Sequence, residues 1–212
     1  MTTLPAGVFS SWLDDIDAAI RGDAGSDVAC GMCTACCTSS QFVHIAPDEH
    51  DALAHIPKAL LFPAPRAPSG HVLMGYDERG HCPMLIDGAC TIYEHRPRTC
   101  RTYDCRVFPA TGVRIDEADK AAIAEQARRW RFAFPTDDDR VRHDAVRAAA
   151  AFLEANRSAF PDGAVPRSPT ALAVLAIEIR DEFLTGDARS GRRVFKPDVS
   201  AVITAIAQHR SV

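Results

Sequence analysis

Eight cysteines constrain this 212-residue chain more than any other feature: all lie between Cys30 and Cys105, and none follows. The first four form the run Cys30-Gly31-Met32-Cys33-Thr34-Ala35-Cys36-Cys37. Two residues between thiols let the backbone turn and aim both sulfurs at one centre, and the loop's spare N–H groups can hydrogen-bond to thiolates. The small residues Gly31, Thr34 and Ala35 leave room for that turn. The second group comprises Cys82, followed by Pro83, and then Cys90, Cys100 and Cys105.

A second CxxC step brings the first loop to three ligands, the pattern of iron–sulfur cluster loops, and the second stretch can complete a closed site. Eight sulfurs divide into two four-ligand sites, for zinc or for iron–sulfur clusters. Cys36 and Cys37 complicate the division, because adjacent side chains do not easily reach one ion together. One of the pair then serves a second site or acts as a redox thiol.

The rest of the sequence narrows the setting. Residues 1–20 have no basic leader and carry Asp14, Asp15 and Asp17, so they do not read as a signal peptide. The longest apolar run, Ala171 to Ile177, is too short to span a bilayer. The expected location is cytoplasmic, where clustered cysteines serve as ligands or redox groups rather than structural disulfides. A net charge of −4 and a pI of about 6.0 argue against nucleic acid or a membrane surface as partners. An unidentified redox or other protein partner is the class that remains.

Along the chain, Phe9, Leu13, Ile16 and Ile20 recur at helical spacing, with Ser11 and Asp14 as a capping box. Residues 42–45 read as a short strand, and Pro47-Asp48-Glu49 opens a helix to about His55. The proline-rich residues 57–68 read as loop. Residues 72–76 and 82–86, joined by Asp77-Glu78-Arg79-Gly80, read as a β-hairpin, and Asp87-Gly88 turns the chain again. After about residue 115 the pattern becomes amphipathic helix. One stripe carries Ile123, Ala127 and Trp130. A longer one, capped by Thr136, runs from Val141 to Phe160. Further helices open at Ser168-Pro169 and at Pro197. The fold class expected is α+β, mainly α: a cysteine-rich region over 1–112 with a short β-hairpin, packed as one globular unit with a helical region over 113–212.

The CxxCxxCC run, Cys82-Pro83, and the string Cys90-Thr91-Ile92-Tyr93-Glu94-His95-Arg96-Pro97-Arg98-Thr99-Cys100-Arg101 together resemble the YkgJ-type cysteine-cluster family, also described as a zinc- or iron-chelating domain. The resemblance covers roughly residues 26–108. It implies metal chelation, with members often labelled iron–sulfur oxidoreductases and flagellin lysine N-methylases as relatives with a similar cluster. The family's usual seven cysteines match Cys30, Cys33, Cys36, Cys37, Cys82, Cys90 and Cys100; Cys105 is an eighth candidate ligand, shared by some members.

Arg96, Arg98, Arg101 and Arg106 crowd Cys100 in sequence and could offset the negative charge of a tetrathiolate site. The resemblance selects Arg96 and Arg101 as cofactor-binding candidates. Tyr93 reads as a core residue. His44, His50, His55, His71, His81 and His95 share the cysteine-rich region, and a histidine can replace a cysteine as ligand. There is no P-loop, dinucleotide fingerprint, GxSxG or HExxH motif, so no reaction is assigned. The cofactor expected is an iron–sulfur cluster serving redox or electron transfer, or an iron–sulfur enzyme. The alternative is zinc stabilising a binding module.

Overall fold

The computed structural model describes residues 2–22, 28, 31–65, 67–186 and 191–209. In chain order their strands and α-helices are β1 (Leu4–Val8), α1 (Phe9–Arg21), β2 (Val43–Ile45), α2 (His50–His55), β3 (Leu61–Pro63), β4 (Val72–Met74), β5 (Leu85–Ile86), β6 (Ala89–Cys90), α3 (Arg98–Thr102), α4 (Val107–Thr111), α5 (Ala121–Ala127), β7 (Trp130–Ala133), α6 (Asp137–Ala155), α7 (Pro169–Glu178), β8 (Leu184–Thr185), β9 (Arg193–Val194) and α8 (Val199–His209). The class is α+β, mainly α. No helix among the described residues is long and apolar enough to cross a membrane.

The chain forms two compact units that interleave in sequence. The first unit comprises Met1–Arg21, Cys105–Ile115 and Ala127–Val212; the second comprises Gly22–Asp104 and Asp116–Gln126.

In the first unit, β1 pairs in parallel with β7, from Leu4↔Trp130 to Val8↔Ala133. Phe9, Leu13, Val146, Leu153, Ala173, Ile177 and Val202 are fully buried, so α1, α6, α7 and α8 all contribute to its core. Arg180 ties α1 to the end of α7 through Asp17, and Arg142 reaches Asp14 at 2.7 Å.

The expected helix caps divide. At α6, Thr136 Oγ1 accepts the Asp139 N–H at 3.1 Å while the Asp139 carboxylate accepts the Thr136 N–H at 3.0 Å. At α1, Ser11 lies inside the helix, so the Ser11–Asp14 box does not form. The Ser10 N–H there donates instead to Asp139 at 3.1 Å, so one buried carboxylate serves the starts of two helices. These hydrogen bonds, those of Ser10 and Thr136 first, hold Asp139 down to a pKa of about 2.

Trp130, expected on a helical stripe with Ile123, sits on β7 instead. The run Trp130-Arg131-Phe132-Ala133 alternates inward and outward, and its backbone is claimed by β1. Phe160 likewise lies beyond the end of α6, which stops at Ala155. The Ser168 cap and Pro169 start of α7 form as expected.

In the second unit, a three-stranded antiparallel sheet has the order β2-β4-β3. Its third strand falls in the proline-rich stretch read as loop; Pro63 is tolerated because β3 is an edge strand. The hairpin expected between 72–76 and 82–86 is not formed. β4 pairs with β2 and β3, while β5 pairs with β6. The local reason is that Pro83 has no N–H to donate and the Cys82 N–H is spent on the Cys37 carbonyl at 2.7 Å.

Candidate metal centre

Each cysteine is positioned by a local device. Cys36 and Cys37 open a 3₁₀ turn over Cys36–Thr38. It is held by Thr38 N–H donating to Thr34 O at 3.1 Å and by the buried Ser39 hydroxyl donating to Ala35 O at 2.6 Å. Lys120, just before α5, clamps the end of this loop by donating to Ser39 O at 2.7 Å and Ser40 O at 3.2 Å. The Ser40 N–H reaches Gly80 O at 2.8 Å. Gly80 has φ +79°, a left-handed conformation that favours glycine, and a Cβ there would also meet the Ser40 hydroxyl.

Cys82 is bound to the first loop by the hydrogen bond from its N–H to Cys37 O, and the turn after it places the Met84 and Leu85 N–H groups on its sulfur. Cys90 pairs opposite Leu85 across a two-residue turn whose Asp87 and Gly88 have φ of 50° and 76°. Two positive φ values match the hairpin turn that asparagine or aspartate followed by glycine favours. Cys100 lies in α3, which is anchored by the Thr99 hydroxyl donating to His44 O at 2.6 Å.

These devices gather four thiols from three stretches of sequence. The electrostatics of Cys100 register Cys82, Cys37 and Cys90 as neighbours, and Arg96 as the opposing charge. Burial first, and then those three thiols, push the Cys100 thiol up to about 12. Burial also raises Cys82, against the lowering effect of the Met84 N–H. The sulfurs of Cys82, Cys90 and Cys100 pack against a small apolar cluster of Val43, Ile45, Ile56, Met74, Met84 and Ile92. Crowded, desolvated thiols disfavour the thiolate, and a thiophilic metal ion that replaces their protons supplies the positive charge that would stabilise it. The residues present therefore fit such a group.

The remaining candidates distribute as follows. Cys33 and Cys36 are half-buried on the same loop, and Cys30 lies outside the described residues. Cys105 falls in the first unit, where it is buried and its Sγ accepts the Trp130 indole N–H at 3.1 Å. Arg96 donates to Tyr93 O at 2.8 Å and lies 3.7 Å over the Tyr93 ring. Tyr93 is 41% exposed rather than core: its ring carries the guanidinium instead. Arg98 pairs with Asp48 at 2.8 Å, and Arg101 is exposed with its charge acting on Asp51. Arg106 belongs to the first unit, where it donates to Ala6 O at 3.2 Å. Among the histidines, His71 Nδ1 meets His44 Nε2 at 2.9 Å, and His55 stacks on His95.

Residues 29–127 match the family model CxxCxxCC, described as a putative zinc- or iron-chelating domain. The match spans just under half of the chain, and this segment is similar to that domain. The match runs nearly the length of the second unit and takes in Lys120 and α5, which the cysteine spacing alone did not include. No curated protein and no solved structure matches the chain. Metal binding is the property that this similarity supports. No local pattern marks Lys120 as a clamp or points to the two N–H groups on Cys82. Both depend on backbone that only the folded loop brings near.

Proposed function

We propose that the CxxCxxCC domain holds an iron–sulfur cluster on Cys37, Cys82, Cys90 and Cys100, and that it passes electrons to a protein partner or serves an iron–sulfur enzyme. The observation that carries this reading is the convergence of four thiols from three stretches, three of them, Cys82, Cys90 and Cys100, packed against one apolar cluster. Cys30, Cys33 and Cys36 are the thiols from which any second ligand set would be drawn. Spacing favours a cluster over a single ion. Zinc bonds of about 2.3 Å require sulfurs about 3.8 Å apart. Among the described residues no three cysteine sulfurs lie within 4.8 Å of one another. A bound cluster supplies one-electron transfer at a potential set by charge, hydrogen bonds and exposure.

The chain's own residues tune that site. The Met84 and Leu85 N–H groups stabilise the Cys82 thiolate, and Arg96 offsets part of the negative charge beside Cys100. Cys105 is left out of the ligand set, because its sulfur is already the acceptor for Trp130.

The test is purification without an affinity tag and without oxygen, followed by iron, zinc and acid-labile sulfide per chain. The expected product is brown, with iron and sulfide. Cys82→Ser and Cys100→Ser lose them, because a protonated hydroxyl is a poor ligand for either metal. Cys105→Ser keeps them. Stoichiometric zinc without sulfide replaces the proposal with a zinc-stabilised binding module. Folded protein with neither metal removes both readings.

A further inference from the structure

A second group of ligands lies on the same unit and contains no cysteine. α2 places Asp51 and His55 four residues apart on one helical face. The 3₁₀ turn Tyr93–His95 packs against that helix and delivers His95. His95 Nδ1 is 2.9 Å from Asp51 Oδ2, and His55 Nδ1 is 3.5 Å from Asp51 Oδ1. The two imidazoles stack with centroids 3.5 Å apart and planes 4° from parallel. One ligand atom from each of the three residues falls within 4.8 Å of the others. Their side chains are 68%, 42% and 39% exposed, in the order Asp51, His55, His95, so an ion reaches them without any opening of the fold.

We infer that Asp51, His55 and His95 form a surface site for a divalent transition cation of the zinc class, distinct from the cysteine centre. Two imidazoles and one carboxylate are a donor set for zinc, cobalt or nickel, and water completes the coordination. His95 Nδ1 hydrogen-bonds to the Asp51 carboxylate, while His55 Nδ1 hydrogen-bonds to the Asp51 backbone carbonyl at 2.8 Å beside that carboxylate, and a cation can take the place of the protons held there. The borderline-soft class is favoured over calcium or magnesium. Those hard ions need several oxygens, and here only Asp51 supplies them, with the Arg101 charge acting against it. Bonding to imidazole nitrogen tolerates that opposing charge better than a purely ionic contact does.

The experiment uses the full chain, purified without added histidines and carrying its resident metal, and titrates it with zinc chloride. Long-range ¹H–¹⁵N spectra of the imidazoles report the occupied site. The expected result is one further zinc at micromolar concentration, shifting the ring nitrogens of His55 and His95 and leaving those of His44 and His71 in place. Asp51→Asn and His55→Gln each weaken this binding by at least about tenfold, since even the outer partners of a metal ligand cost that much. Both leave the resident metal content unchanged. The inference is overturned if zinc shifts neither ring below millimolar concentration, if it shifts the His44–His71 pair instead, or if both variants bind as the parent does. Zinc entering the thiols leaves His55 and His95 unmoved, so failure at this site and failure at the cysteine centre give different spectra.

Discussion

The two units solve the problem of stability differently. The first buries long side chains from four helices, including Phe9, Leu13, Leu153, Ile177 and Phe183, and anchors them with a shared helix cap and the Asp17–Arg180 pair. The second has, among the described residues, short strands, helices of five to seven residues, and an apolar cluster of six buried residues with three cysteines packed against it. Burial of apolar surface scales with such side chains, at about 25 cal/mol per Å². The second unit therefore has far less of it to set against chain entropy. The comparison teaches that the thiols complete a core as well as offering a site, so metal and fold in that unit should be gained and lost together.

The largest expected effect is that of metal removal. Structural zinc contributes roughly 10–16 kcal/mol of apparent binding energy in small domains, comparable with the whole stability of a typical domain. Stripping the resident metal is expected to abolish hydrogen-exchange protection in β2, β4 and α3 while protection in α6 and α7 persists. Equal loss in both units would show that they do not differ in this way.

A core truncation probes the opposite side. Leu153 is fully buried in α6, and Leu153→Ala is expected to cost about 2–5 kcal/mol in the first unit's unfolding transition. Metal per chain should stay unchanged after the same anaerobic preparation. If metal content falls with it, the cysteine unit draws its stability from the helical core.

The smallest effect is a pH dependence. His143 packs between Phe9 and Phe134, and its Nε2 is a buried atom with no hydrogen-bond partner. Burial first, and then the Arg147 charge, lower its pKa from the ordinary 6.5. A lowered folded pKa means the neutral ring is the form that the fold favours. Its contribution is fully present above pH 6.5 and is lost as pH falls below 6.5 and through the folded value. The first unit should thus lose stability on acidification over that window, and His143→Phe should flatten the slope. An unchanged slope in the variant would place the titrating group elsewhere.

Legibility differed between the units for the same physical reason. Helices with long apolar stripes are written in local periodicity. α1 and the starts of α6 and α7 could be read from Phe9 to Ile20, from Thr136 and from Ser168-Pro169. Pairing is not local. The strand β1, its parallel partner at Trp130 and the edge strand at Leu61 carry no signal that names their partners. The expected hairpin failed because the Cys82 N–H went to Cys37, a choice made across more than forty residues of chain.

By itself, the sequence carried thiols at metal-ligand spacing, the pattern of an α+β, mainly α chain, and a family resemblance written in the string around Cys90 and Cys100. Spacing is a covalent property, so it survives without coordinates. Only the tertiary structure decided which thiols meet. It placed Cys37, of the adjacent pair Cys36 and Cys37, in the neighbourhood of Cys82, Cys90 and Cys100. It gave Cys105 to Trp130 and brought His95 to a helix more than forty residues earlier in the chain. Such meetings are set by how backbone hydrogen bonds and apolar burial close the loops between residues, and no local pattern encodes them.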